Sequence, residues 1–261
     1  MENTIRTAAV AVILAPLSAN AGITLSDMYM SNSDGVVYRV DGTTLQATEV
    51  FQFNDIRWPV QIEYMGNGQI AGNMTIRIDA YDLNTGVQET LVTSTDFDPQ
   101  AEFALASGLE ILDDGSIMTS VWFVIATALW AGTGFYDPAT QTATSNNYGY
   151  LIVNDLYQID GSLTLASVGT NTVSIYDYET EVVIDTYTSD IPINSFIENN
   201  GHLLVLSDNG ELYQFDYLTG AMSLHGTITG FEGDSNSITI PTPSSLALIG
   251  LGLGALARRR R

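Results

Sequence analysis

A unit of about 40 residues recurs along the central part of this chain, and the repeat restricts the fold more than any other feature does. Each unit contains a strand of alternating apolar and polar residues that ends in an aspartate, followed by a short turn with a threonine. The aspartates that mark the five units are Asp41, Asp82, Asp137, Asp177 and Asp216. Repeats of this length are typical of β modules that stack, because one sheet alone cannot bury both of its faces.

The turn after each marker aspartate has a recognisable chemistry. In DLNTG (82–86) and DYLTG (216–220), the aspartate can accept hydrogen bonds from turn amides while the glycine adopts a positive φ. Four of the aspartates are preceded by an Asn-Gly or Asp-Gly pair, which predicts a hairpin turn. These pairs lie at residues 67–68, 114–115, 160–161 and 200–201. The five aspartates are therefore predicted to be structural turn residues.

Together these markers predict an all-β, β-propeller-like domain over residues 22–240, with about five blades of four antiparallel strands. The strand missing from the first unit is predicted to come from residues 226–240, which would close the ring. A sixth blade stays open, since the interval between Asp82 and Asp137 is longer than the others. A β-sandwich is the other fold considered, but its hairpins need not repeat at a constant interval. The repeats resemble those of quinoprotein-like and surface-layer-type propellers, which implies a shared architecture only.

The charge of the chain excludes several classes of function. The sequence has no lysine, eight arginines and 30 acidic residues, for a formal net charge of −22. Such a surface repels phosphate backbones, which excludes nucleic acid as a partner. It suits divalent cations, cationic partners or solubility in a salty habitat. Because there is no cysteine, disulfides, thiolate metal sites and cysteine nucleophiles are also excluded.

Residues 1–21 have the pattern of a secretory signal peptide. Arg6 gives a weakly positive start, and residues 7–17 are apolar. Ala19 and Ala21 place small side chains where signal peptidase requires them. The sequence therefore predicts export and cleavage after Ala21 by signal peptidase. A first buried helix is the alternative.

Residues 241–261 combine a short apolar segment with a cluster of arginines. The apolar run at 246–257 would span about 18 Å as a helix, whereas a hydrocarbon core of about 30 Å needs some 20 residues. The positive-inside rule keeps the terminal cluster in the cytoplasm. That cluster consists of Arg258, Arg259, Arg260 and Arg261. The segment is predicted to be a short, temporary transmembrane helix, and a permanent single-pass anchor is the alternative.

The order of these C-terminal parts resembles the sorting signal of PEP-CTERM proteins, which bacteria export and exosortases process. Pro241 and Pro243 match the two prolines of that signal, and Ser244 matches its serine-rich entry. Thr242 stands where the family usually has glutamate, which leaves open the protease variant that would recognise it. The resemblance implies passage across the inner membrane, transient anchoring, cleavage near Pro243 by an exosortase-type protease, and delivery to the cell surface or extracellular matrix.

No catalytic constellation is visible in the sequence. The two histidines, His202 and His225, are too few for a histidine zinc site and suggest no Ser-His-Asp triad. Paired acids such as Asp113 and Asp114 are expected from an acidic composition alone, so no glycosidase pair is assigned. Residues that would hold a quinone are not identifiable either.

Calcium is the one cofactor that the sequence leaves open. Oxygen-rich loops lie at residues 31–35, 96–98, 113–115 and 232–237, but none has EF-hand spacing. Turn chemistry explains the same residues, and no metal ligand or cofactor is predicted.

The sequence thus predicts a non-enzymatic protein of the cell surface or matrix that binds or scaffolds exopolysaccharide or other envelope components. The alternative is a secreted hydrolase or lyase that acts on polysaccharide through carboxylates on the central propeller face. Acids that converge around one end of the axis would favour the enzyme. A channel lined by threonine, serine and aromatic residues would favour the binder. A role as a stable spacer is a third hypothesis.

Overall fold

The structure, a computed structural model, describes residues 23–54, 61–74, 76–98, 103–125, 128–147, 153–180 and 182–241. These residues form five antiparallel sheets of four strands, which we call blades 1 to 5 in chain order. Blade 1 contains β1 (Met28–Asn32), β2 (Val36–Val40) and β3 (Ala47–Gln52). Blade 2 contains β4 (Ile62–Gly66), β5 (Gln69–Asn73), β6 (Arg77–Asp82) and β7 (Gln88–Thr93).

The remaining blades follow a short helix, α1 (Ser94–Phe97). Blade 3 contains β8 (Phe103–Ile111), β9 (Ile117–Ile125), β10 (Ala128–Asp137) and β11 (Thr142–Asn147). Blade 4 contains β12 (Val153–Asp160), β13 (Leu163–Val168), β14 (Thr172–Asp177) and β15 (Val182–Thr188). Blade 5 contains β16 (Ser195–Asn199), β17 (His202–Leu206), β18 (Glu211–Asp216) and β19 (Ala221–Thr227). The last strand, β20 (Ser235–Thr239), returns to blade 1.

The innermost strands of the five blades form a closed ring. In order around it, β4, β8, β12, β16 and β20 each contact the next, and β20 contacts β4. The predicted all-β propeller with five blades of four antiparallel strands is therefore confirmed. The six-bladed ring and the β-sandwich are wrong, because every described strand belongs to one of the five blades.

The long interval between Asp82 and Asp137 contains extra structure rather than an extra blade. It holds helix α1 and two strands of nine residues, β8 and β9. A capping box closes the N-terminus of this helix: Asp96 Oδ2 accepts hydrogen bonds of 2.7 Å from both the amide and the hydroxyl of the N-cap residue, Thr93. Phe97 of this helix packs into the junction between blades 2 and 3.

The hydrophobic core is divided into five clusters, one at each junction between neighbouring blades. Because a blade packs against a neighbour on either side, its middle strands bury consecutive residues. Leu204, Val205 and Leu206 of β17 are all fully buried, for example. The outermost strands lack this cover, and β15 is exposed along nearly its whole length.

The two ends of the propeller meet in blade 1. β20 is the innermost strand of that blade and pairs with β1 in antiparallel register, with Tyr29 opposite Thr239. The prediction that residues 226–240 supply the missing strand is confirmed. Residues 23–27 continue onto blade 5, where Asn199 Oδ1 accepts a 2.8 Å hydrogen bond from the Ser26 amide. Asn200 Nδ2 likewise donates to the Thr24 carbonyl at 2.7 Å.

The predicted targeting segments lie largely beyond this part of the chain. Ala19 and Ala21, and the tail from Thr242 to Arg261, fall outside the described residues, whereas Pro241 is described. Within the described ranges, no helix has the length and apolar character that a membrane span requires.

Candidate functional site

The five marker aspartates lie in equivalent turns. Each turn joins the third strand of a blade, counted from the centre, to the fourth. In blade 5, Asp216 Oδ1 accepts a 3.0 Å hydrogen bond from the Leu218 amide, and Oδ2 accepts one of 2.7 Å from the Thr219 hydroxyl. Asp41 accepts in the same way from the amides of Thr43 and Thr44.

The pKa of each marker aspartate is lowered below its ordinary value. The largest cause in every turn is the hydrogen bond from the threonine three residues later, which stabilises the ionised carboxylate. Since each blade contributes one such turn, the five carboxylates are spread around the ring and do not form a single site.

A second group of acids lies on the innermost strands. Four of these five strands carry acids, and we call Glu63, Glu110, Asp155 and Glu198 the central acids; β12 also ends in an exposed Asp160. Asp155 is 1% exposed and Glu110 is 8% exposed, whereas Glu63 is half-buried and Glu198 is exposed. None of these residues stood out in the sequence.

Side-chain hydrogen bonds among the described residues connect neighbouring inner strands at four of the five junctions of the ring. Asp155 Oδ2 accepts from the Phe196 amide at 2.7 Å, across the junction between blades 4 and 5. Serine oxygens make the same bond at the next two junctions. Ser195 Oγ accepts from the Ile238 amide at 3.2 Å, and Ser237 Oγ accepts from the Ile62 amide at 3.0 Å.

The remaining central acids bond across junctions as well. Glu110 Oε1 accepts a 3.0 Å hydrogen bond from the Gln158 amide of blade 4. Glu63 Oε2 accepts a 2.8 Å hydrogen bond from the Thr239 hydroxyl of β20. Glu198 Oε2 accepts one of 2.9 Å from the Tyr157 hydroxyl. All four central acids are thus engaged by a neighbouring blade.

Burial makes three of these carboxyl groups hard to ionise. It raises the pKa of Glu63 well above the ordinary value, and the carboxylates of Glu110 and Asp155 raise it further. Burial is also the largest cause of the raised pKa of Glu110. The pKa of Asp155 is raised to about 7 by burial, against the opposing effect of the Phe196 amide. Burial thus favours the protonated form of these three side chains at the centre of the ring.

Other residues considered in the sequence take part in local structure. The Asn32 carboxamide oxygen in the 31–35 loop accepts from the amides of Asp34 and Val36, as in an ordinary turn. Asp114 accepts from the amide and hydroxyl of Ser116. Among the described residues, no three or more histidine, aspartate or glutamate side chains are arranged to hold a metal ion.

Comparison with other proteins defines the architecture. No protein-family model and no curated protein matches the sequence. Among solved structures, the chain is similar to a protein of unknown function from Bacteroides caccae, with a TM-score of 0.52 and 9% identity over 75% of this chain and 70% of that one. It is also similar to a chain of a nidogen/laminin complex, with a TM-score of 0.50 and 8% identity over 83% of this chain and 98% of that one. At such low identities the likeness concerns the fold alone. The fold is a five-bladed β-propeller.

Within the propeller, one sequence signal could have located two of the central acids. Glu63 lies four residues before the Asn-Gly pair at 67–68, and Glu110 lies four residues before the Asp-Gly pair at 114–115. Each pair forms the turn after an innermost strand. An acid at this offset in two repeats indicates a position near the propeller axis.

Proposed function

We propose that this chain is exported, sorted by an exosortase-type protease, and then acts at the cell surface or in the extracellular matrix as a non-enzymatic binding and scaffold module. The observation that carries the proposal is the position of the two chain ends. Tyr29 and Thr239 face each other in paired strands, so both ends of the propeller leave blade 1 on the same side.

This arrangement suits a protein with a targeting segment at each end. The predicted signal peptide precedes the segment that packs on Asn199, and the predicted tail begins two residues after Thr239. Residues 240–245, fully extended, reach at most about 20 Å. A chain held by the tail would therefore place this side of the propeller close to the membrane.

The position of β20 also suits removal of the tail. Thr239 is 3% exposed and Ile238 is fully buried, so the closing strand is part of the core. Cleavage near Pro243 falls beyond this strand. The sorting signal can thus be cut off without removing a residue that closes the ring.

The central acids support a structural role for the propeller. Each accepts a hydrogen bond from a neighbouring blade, so these carboxyl groups connect the inner strands of adjacent blades. A binding module requires such a rigid scaffold, whose outer surface is free for contact.

Mass spectrometry of the C-terminus of the native protein tests the proposal. Surface-located protein from cells with the sortase is expected to end near Pro243, and protein from cells without it is expected to retain Arg258 to Arg261. Surface-located protein that keeps its arginines in both strains would refute processing.

A secreted polysaccharide hydrolase or lyase is the second candidate, favoured by the convergence of Glu63, Glu110 and Asp155 near the axis. A protonated glutamate beside a second carboxyl group is an arrangement that glycosidases use. Release of reducing ends from a polysaccharide, abolished by Glu110→Gln, would support the enzyme. Absence of release by wild type would refute it, and equal release by wild type and variant would exclude Glu110 as the acid.

A further inference from the structure

Two cavities occupy equivalent positions at the junctions between blades. Groove 4/5 lies between blades 4 and 5 and has a volume of about 320 Å³. Its lining includes Tyr187, Ser189, Asp190, Tyr213, Gly220 and Met222. Groove 2/3 lies between blades 2 and 3 and has a volume of about 450 Å³. Its lining includes Thr90, Leu91, Asp96, Tyr136, Gln141 and Ala143.

The repeat explains why the two grooves correspond. Gly220 and Gln141 each lie four residues after a marker aspartate, and Met222 and Ala143 each lie six residues after one. The opposite wall comes in both cases from the outermost strand of the preceding blade and the residues that follow it, β15 for groove 4/5 and β7 for groove 2/3. The same two elements of the repeat thus form both grooves.

Groove 4/5 combines apolar and hydrogen-bonding surface. The half-buried ring of Tyr187 lies against Gly220, whose positive φ and missing side chain leave room for the ring. Tyr213 donates its hydroxyl to Glu211 Oε2 at 2.9 Å, which fixes the phenol oxygen as an acceptor. Ser189 and Asp190 add polar groups at the end of β15.

Groove 2/3 is the more polar of the two. Tyr136 is only 5% exposed, so its ring offers little surface. Thr90, Asp96 and Gln141 supply polar side chains. Neither lining contains a lysine or an arginine.

We propose that the two grooves are binding sites for neutral, hydroxyl-rich polysaccharide, and that one polymer chain occupies both. The inference rests on the proposed function and names the ligand of its binding module. A tyrosine ring provides an apolar surface for the C–H face of a sugar ring, and carboxylate and phenol oxygens accept hydrogen bonds from sugar hydroxyls. Without a cation in either groove, and with a strongly acidic protein surface, uronate, sulfate and phosphate polymers are repelled.

Two equivalent sites on one rigid ring suit a polymeric ligand built from repeating units. Binding at the first groove raises the effective concentration of the same polymer at the second, so the polymer binds more tightly than a short oligosaccharide does. The more apolar groove 4/5 is expected to be the stronger site.

Affinity electrophoresis in gels containing dextran, laminarin or galactomannan, with alginate as the anionic polymer, tests the proposal. Thr188→Trp fills groove 4/5 from an exposed position on β15, and Ala143→Trp fills groove 2/3. Val50→Trp on the outermost strand of blade 1 is the matched control, since Val50 is 44% exposed and lines neither groove. Circular dichroism establishes that each variant is folded.

Wild type and Val50→Trp are expected to bind at least one neutral polymer and not alginate. Thr188→Trp should weaken that binding about 100-fold, and Ala143→Trp should weaken it less. Calorimetry with a hexasaccharide of the same polymer should give two sites in wild type and one in each filled variant. Equal binding by all four proteins, a preference for alginate, or no binding by wild type would overturn the inference. Mass spectrometry of the C-terminus of surface-located protein tests sorting independently of polysaccharide binding. A negative binding result would therefore overturn this inference and leave the proposed export and sorting to be decided by that experiment.

Discussion

Asp155 Oδ2 accepts a 2.7 Å hydrogen bond from the backbone amide of Phe196 and thereby joins the innermost strands of blades 4 and 5. At the next two junctions, the neutral hydroxyls of Ser195 and Ser237 make the same bond. Asp155 is 1% exposed, so an ionisable group occupies a position where these two junctions have a neutral one. The stability of the ring must therefore depend on pH.

Stability is predicted to fall as pH rises from about 4 to about 7. The unfolded chain releases the Asp155 proton near the ordinary pKa of 3.8, whereas the folded chain keeps it until about 7. Between these values the folded state binds more protons, so its free energy of unfolding decreases by roughly 1.4 kcal/mol for each pH unit from this group. Thermal melts at pH 4.5, 6 and 8 measure the effect.

Asp155→Asn should flatten this dependence, because an asparagine oxygen still accepts from the Phe196 amide without carrying a charge. Glu63 and Glu110 leave part of the slope, since burial raises their pKa as well. Glu179→Gln, at an exposed carboxylate, serves as the control and should melt as wild type does. A slope unchanged by Asp155→Asn would show that this carboxyl group is not the titrating one.

Asp216→Ala is predicted to lower the melting temperature by about 2–4 °C, as expected for a domain of this size that loses the two turn hydrogen bonds. Asp216→Asn keeps an acceptor oxygen and should lose less. Because the pKa of Asp216 is lowered in the fold, its contribution is present above the ordinary pKa and is lost as pH falls below it. Equal losses for both variants at neutral pH would mean that charge, rather than the turn bonds, stabilises this turn.

Ile238→Ala is predicted to destabilise the propeller by about 2–5 kcal/mol, because Ile238 is fully buried between blades 1 and 5. Denaturant unfolding measures this loss.

A pair of shortened chains, one ending at residue 241 and the other at residue 233, tests closure of the ring in the same denaturant experiment. The first retains β20 and should unfold cooperatively, whereas the second lacks the strand that closes the ring. A cooperative transition at the same midpoint for both chains would contradict closure by β20.

Replacing both Pro241 and Pro243 with alanine is predicted to retain the protein in the membrane fraction. These prolines match the sorting signal, and their loss should block cleavage without affecting the propeller. Cell fractionation measures the outcome, with Asp216→Ala as the control that perturbs the fold and should leave location unchanged. Mislocalisation of both variants to the same extent would show that sorting depends on the fold instead.

Much of the fold could be predicted because one turn chemistry recurs in every blade. Asp216 and its four equivalents stabilise the turn between the third and fourth strands of each blade. Their hydrogen-bond partners lie two and three residues away in the sequence, so this turn can be predicted without a structure. The closing strand was also predictable, since the first unit lacks one strand and residues 226–240 have no marker of their own.

The central acids could not be predicted in the same way. Asp155 and Glu198 lie among 30 acidic residues and lack the four-residue offset from an Asn-Gly or Asp-Gly pair that Glu63 and Glu110 have, so their immediate sequence does not distinguish them from acids of the outer strands such as Glu89. Their position depends on which strand of a blade lies next to the axis, and that follows from the assembled ring rather than from the strand itself. The grooves were missed for the same reason, because each takes its walls from two blades.

The pairing of β1 with β20 also sets the order in which the chain can fold. Residues 29 and 239 are about 200 residues apart, so β1 is synthesised first and its partner strand last. Blades 2 to 5 are built from consecutive strands and can assemble as they appear. Until the final strand arrives, the backbone edge of β1 stays unpaired and open to pairing with other chains. The interval between the appearance of β1 and of β20, rather than any step within a blade, then limits how long this protein is at risk of aggregation.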